Sequence, residues 1–300
     1  MDVQVNSTHD FYQTMSNNLD ITFSDLKNLT TKIVTENQYQ TFAEMDEDGK
    51  LESILALQSS IAYTESYINI NQTIQKKMEL QDLEVSNIIS AIQQLKYKLV
   101  AAQSSSYLVT PLAQSTKYTL ADIGNSLNAQ YAGNYLFSGS KTSTIPLGDL
   151  TDKSQIDKYY GNEEPLYLQT SDTLEIQYNS LNANNPQFRT LFQVLHDIID
   201  ADTIKDMAKL QELQNKVDDA LSWLITERAD LEENITIVQR TSQSQSKYQQ
   251  YLQTNLVNIS KVTAEKFAEF TTLVLDKQKS LEAQFRLTKM LSTLNLASYL

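Results

Sequence analysis

The chain has three hundred residues, a formal net charge of −13, 41% apolar residues and no cysteine. An acidic chain lacks the cationic surface that neutralises nucleic-acid phosphates, and without cysteine there are neither disulfides nor thiolate metal sites. No run approaches the ~18 apolar residues of a membrane span, and the opening MDVQVNSTHDFY lacks the basic region and apolar core of a cleavable signal.

Glycine and proline divide the chain. All four prolines and five of the six glycines fall between positions 111 and 186, so turns concentrate in the middle and both ends can run as helix. The last sixty residues carry seven Lys/Arg against four Asp/Glu, whereas earlier blocks are acidic. On a long helix such a run reads as a solvated face.

In chain order, a first helix is expected from Ser7, with Asp10 as an acidic capping partner, to about position 40. Its stripe of Tyr12, Met15, Leu19, Phe23, Leu26 and Ile33 is thin, diluted by Thr22 and Thr30. Glu44–Gly49 (EMDEDG) breaks the pattern before a longer helix over 51–104. Within that helix Ile74, Met78, Val85, Ile88, Ile92, Leu95 and Leu99 hold a seven-residue repeat, with Gln81 as the polar member. Pro111 resets the chain, and a third helix puts Leu120, Ile123, Leu127 and Tyr131 on one face.

Period-two alternation at Leu166, Leu168, Thr170 and at Leu174, Ile176, Tyr178, around Ser171-Asp172, predicts a β-hairpin. Asn185-Pro186 is a helix start, followed by Phe188, Leu191, Phe192, Leu195 and Ile199 on one face. Thr203 with Asp206 reads as the next cap. Leu210, Leu213, Val217, Leu221, Leu224, Leu231, Ile235 and Val238 then form a second heptad with Arg228 as its polar member. A Gln/Ser stretch at 240–250 thins the seam, which resumes through Leu252, Phe267, Phe270, Val274, Leu281, Phe285 and Leu291.

The two heptad blocks flank the middle and the two thinner blocks lie at the chain ends. Pairing inner with inner and outer with outer buries every seam. The expected fold is mainly α: an elongated antiparallel long-helix bundle or coiled coil built from both termini, with a small β-containing middle domain. The expected divisions are an N-terminal assembly helix (1–45), an ascending helical rod (46–142), a middle domain with a hairpin and short helix (143–200), a returning rod (201–245) and a C-terminal assembly helix (246–300).

Catalytic groups do not converge in the sequence. His9 and His196 fall on different helices, and neither a paired-His motif nor G-x-S-x-G occurs. Gly139-Ser140-Lys141-Thr142 lacks the glycine directly before the lysine that a phosphate loop needs. Glu44–Gly49 starts like a calcium loop, but its twelfth position is Leu55 instead of a bidentate glutamate. The chain reads as a non-enzyme with no catalytic residue, no metal site and no cofactor. What remains is burial. The thin terminal stripes suit intermolecular packing, because a weak single-stripe helix gains most of its stability from neighbours.

One stretch is distinctive. Asn128 to Gly139, NAQYAGNYLFSG, resembles the N-x-x-x-x-G-x-Y-L-F-S-G segment of the flagellar hook–filament junction proteins, the third hook-associated protein or FlgL family of the flagellin superfamily. Its structural motif residues here are Gly133, Tyr135, Leu136, Phe137, Ser138 and Gly139, and Thr142 and Pro146 fit the following pattern. Ala220–Asn234 is similar to a second family segment, with Arg228, Ala229 and Leu231 in register, and the last fifty residues are flagellin-like. Two family features are replaced: Glu44–Gly49 stands where an S-D-D-P loop is usual, and Glu232 where glycine is common.

The resemblance implies a secreted structural subunit of the bacterial flagellum, exported through the type III apparatus without a cleaved signal. Implied partners are like subunits in a ring, the first hook-associated protein, flagellin, and an export chaperone at the C-terminal helix, with no nucleic acid and no membrane. The expected assembly residues are Leu19, Phe23, Leu26, Phe270, Val274, Leu281, Phe285 and Leu291. A flagellin-type filament subunit is the alternative within the superfamily. A cytosolic helical coiled-coil scaffold is the alternative from another class.

Overall fold

The computed structural model describes residues 2–104, 109–179, 181–200 and 207–297, with side chains placed for 13–103, 112–179, 181–200 and 207–287. Its long helices are α1 (Asp2–Thr35), α3 (Leu51–Ser104), α6 (Met207–Ser260) and α7 (Ala264–Ala297). Their lengths match in pairs: α1 and α7 have 34 residues each, and α3 and α6 have 54 each. Shorter elements are α2 (Phe42–Glu47), α4 (Val109–Leu127), β1 (Gln130–Tyr131), β2 (Asn134–Tyr135), β3 (Tyr167–Ser171), β4 (Leu174–Gln177) and α5 (Pro186–Ile199). No described helix is long and apolar enough to cross a membrane. The chain divides into one compact unit made of Met1–Tyr63 with Tyr248–Leu300 and a second made of Thr64–Lys247.

In the second unit α3 and α6 run antiparallel, since contacts step up one as they step down the other: Asn71 with Gln245 at 2.9 Å, Asp82 with Arg228 at 2.7 Å, Lys96 with Asp218 at 2.6 Å and Gln103 with Gln214 at 2.7 Å. The heptads form this seam. Met78, Val85, Ile88, Ile92, Leu95 and Leu99 are buried, as are Leu210, Leu213, Val217, Leu224, Leu231 and Val238. Around them α4, α5 and the segment from Leu136 to Ile156 complete the main core.

The helix α5 starts as its sequence dictates. Asn185 caps it by accepting from Gln187 N at 3.0 Å, Pro186 occupies the first turn, and Phe188, Leu191, Phe192 and Leu195 are fully buried. The hairpin also forms, with Leu168 opposite Ile176 and a register shift at Gln169/Ser171. It rests on α3 and α6 through a separate small cluster of Met78, Leu168, Ile176, Leu231 and Val238.

Several expectations are corrected. The first helix starts at Asp2, so Ser7 is interior to it, and it stops at Thr35 because Glu36 adopts a left-handed φ of 52°. Tyr131 is not on the third helix, which ends at Leu127; it lies in β1 of a second hairpin. Positive φ at both Ala132 and Gly133 marks that hairpin's two-residue turn as the primed kind that suits twisted strands. The thinned Gln/Ser stretch lies within an unbroken α6, and it is at 261–263 that the C-terminal helix breaks. The acidic stretch forms the short helix α2, capped by Thr41 and stopped at Gly49 with φ of 62°. Thr203 and Asp206 lie outside the described residues.

Candidate assembly surface

In the first unit α1 and α7 pair antiparallel through a thin seam. Lys277 bonds Asp25 at 2.5 Å, Gln284 donates to Thr22 Oγ1 at 3.3 Å, and the Lys32 ammonium sits 5.4 Å from the Phe270 ring centroid. Phe270 is only 7% exposed and Met15 is buried, while Leu19, Leu26, Val274 and Leu281 are half-buried. Phe23 meets Phe285 edge-on at 6.4 Å, yet the two remain 50% and 51% exposed. Leu291 lies outside the residues with described side chains. Of the expected assembly set, Phe270 is thus buried within the chain, whereas Phe23 and Phe285 still present apolar surface.

Further apolar surface lies off the stripe. Leu273, Leu275 and Leu287 on α7, with Ile21 and Val34 on α1, are all exposed, and so is Phe267 on the stripe itself. At about 100° per residue, Leu273 and Leu275 project about 100° either side of Val274, and Phe285 and Leu287 are separated by about 200°. Apolar residues therefore surround much of α7, while α1 covers one side. The helix α7 thus carries exposed apolar side chains on more than one face, interspersed with charged ones such as Lys279 and Arg286. Reading the sequence for a single stripe finds the residues facing α1. The i, i+2 apolar pairs 273/275 and 285/287 are the signal that would have found the rest.

The ends of this helix pair are clasped by backbone. Residues 36–39 cross the break at 261–263, with Gln38 N donating to Ser260 O at 2.7 Å and Val262 N to Glu36 O at 3.0 Å. Glu44 then ties α2 to α1. It pairs with Lys32 at 2.9 Å and accepts from Gln40 N at 2.7 Å. Burial opposes ionisation of Glu44, but these donors outweigh it and hold its carboxyl below the usual range. Among the described residues no group of three His, Asp or Glu side chains is placed to share a metal.

In the second unit the YLFSG stretch is a packed joint. Phe137 and Ser138 are fully buried and Leu136 nearly so. Gln81, the polar member of the first heptad, donates to Leu136 O at 2.9 Å. Ala183 N donates to Phe137 O at 3.1 Å, and Asn162 N to Ser138 O at 3.0 Å. The Tyr159 hydroxyl lies between two acceptors, Phe137 O at 3.2 Å and Asn162 O at 2.9 Å, and burial pushes its pKa up to about 12.

Gly139 has φ of 67°, and a Cβ there would collide with the carbonyl of Asn162. The amide of Ser140, which a phosphate loop would offer to its ligand, is already bonded to Asn162 Oδ1 at 2.7 Å. The polar member of the second heptad, Arg228, grips Asp82 through two bonds at 2.7 and 3.2 Å and reaches Glu232 at 3.0 Å. His196 is buried with Nε2 2.8 Å from Leu150 O, a packing role inside α5. The side chain of His9 lies outside the described set.

No protein-family model matches this sequence, and no curated protein sequence matches it. Solved structures do match. A flagellar hook-associated protein from Vibrio parahaemolyticus superposes with a TM-score of 0.60 at 14% identity, over 71% of this chain and 99% of that one. FlgL from Bacillus cereus gives 0.58 at 14% identity, covering 67% and 98%. The flagellar hook-associated protein-3 of Legionella pneumophila gives 0.59 at 14% identity, covering 69% and 98%. This chain therefore has the fold of those proteins along almost their whole length.

Proposed function

We propose that this chain, with the fold of the flagellar hook-associated proteins, is a structural subunit of the bacterial flagellum. Its place is the hook–filament junction, between the hook-associated ring and the flagellin filament. The observation that carries this reading is the apolar surface left uncovered around α7 and on Phe23, Ile21 and Val34 of α1. Side chains such as these find burial only against neighbours, and burying apolar area is the main drive for subunit association. In this reading 1–45 and 246–300 are the assembly segments, and 143–200 is the small middle domain.

Partners are further copies of the chain in a ring, the first hook-associated protein on one side and flagellin on the other. An export chaperone covers the C-terminal helix before assembly, and export proceeds through the flagellar type III route. In this reading the chain does no chemistry, and described polar side chains serve its caps, clasps and the joint at Gly139.

Immuno-labelling of isolated flagella tests the proposal. Label confined to the hook–filament boundary is the expected result. Label along the filament identifies a flagellin-type subunit, and label only in the cell body identifies a cytosolic scaffold and ends the proposal.

A further inference from the structure

The β3–β4 hairpin is attached differently from everything around it. Its apolar anchors, Leu168 and Ile176, belong to a cluster with Met78, Leu231 and Val238 that is separate from the main core. Polar anchors reach it from long side chains: Asn71 Nδ2 and Gln245 Nε2 donate to Thr170 O at 3.0 and 2.8 Å.

Two unfavourable groups lie beneath it. Lys77 is only 9% exposed, and its ammonium faces the Tyr178 ring with Nζ 4.9 Å from the centroid. Burial alone lowers the lysine's pKa, so closure works against the charged form. Asn71 is fully buried, and no described donor reaches its Oδ1. Water entering under a raised hairpin would solvate the ammonium and bond that oxygen. Both penalties therefore exist only while the hairpin is down.

From these two desolvated polar groups under an independently anchored hairpin, we infer that β3–β4 is a strap that lifts from α3 and α6 as a unit while the main core stays closed. Lys77 sets how readily it lifts. The strap covers Met78, Leu231 and Val238 in one state and uncovers them in the other. This inference concerns the second unit alone and stands whether or not the flagellar reading does.

Amide hydrogen exchange on the full-length protein, read by mass spectrometry, tests it. Amides of 167–177 should exchange at least about a hundredfold faster than those of α5, with rates that rise with low denaturant by one shared shallow slope, well below that of α5, as a unit opening that uncovers a small apolar cluster requires. Lys77→Met should slow hairpin exchange by about tenfold and leave α5 unchanged. Hairpin and α5 amides exchanging together in the wild-type protein would overturn the strap. Equal slowing of both, or no slowing, in the variant would overturn the role of Lys77. The wild-type denaturant series decides the first point even if the variant does not fold.

Discussion

The substitution Leu275→Glu separates folding from assembly. Leu275 is 52% exposed and projects about 140° away from Phe270, on the side of α7 that α1 leaves open. In the monomer the new carboxylate can reach water, and leucine and glutamate have similar helix propensities. Stability should therefore change by no more than about 0.5 kcal/mol. In an assembly that covers this face the same change removes about 0.8–1.5 kcal/mol of leucine burial, half the value for a whole side chain. It also places a charge where desolvation costs several kcal/mol. A combined loss of at least about 3 kcal/mol weakens each interface more than a hundredfold.

The assay is twofold: thermal unfolding of the purified monomer, and immunoblots that partition the protein between isolated flagella and culture supernatant. The variant should melt with the wild type yet be lost from flagella. Phe270→Glu, which strikes the buried seam, should instead lower monomer stability by about 3 kcal/mol. If Leu275→Glu enters flagella like the wild type, or melts as early as Phe270→Glu, the uncovered face of α7 is not an assembly surface.

Three other outcomes are expected. Gly139→Ala must place a Cβ against the Asn162 carbonyl in a left-handed backbone, costing on the order of 3 kcal/mol or more, whereas Gly133→Ala, at φ of 81° but facing open space, should cost only about 1 kcal/mol. Equal urea midpoints for the two would contradict the packing of the joint. Arg228→Gln should cost about 1 kcal/mol, since its pair with Asp82 is bidentate but still partly solvated, and added salt should shrink the difference. For pH, Tyr159 keeps its proton longer folded than unfolded, so its contribution is complete below about pH 10 and is lost as pH rises toward 12. Tyr159→Phe should lower the urea midpoint at neutral pH and flatten that alkaline decline. An unchanged decline would assign the loss to other groups.

The heptads were legible because packing and periodicity coincide there, and Gln81 and Arg228 stood out as their polar members. Their partners did not, because Leu136 and Asp82 meet them only through the fold. The cap at Asn185 is local chemistry and could be read directly. The turn of the first hairpin is Ala-Gly, a weaker signal than Asn-Gly, and its two-residue strands are too short to alternate visibly. The break at Lys261-Val262-Thr263 contains neither glycine nor proline, and its reason is the bridge to Asn37, 224 residues away. At the candidate surface, a stripe search finds the face that α1 covers and passes over the rest.

The equal lengths of the paired helices constrain how the chain can change. One residue inserted in α3 would rotate everything beyond it by about 100° and shift it by ~1.5 Å, carrying Asp82 away from Arg228 and Gln81 away from the joint. Only a matching insertion in α6 could restore the register, and the same holds for α1 with α7. Insertions and deletions should therefore collect in the loop at 151–165 and at the β3–β4 turn. Within each pair the exposed positions can change one at a time, whereas length can change only in both partners together.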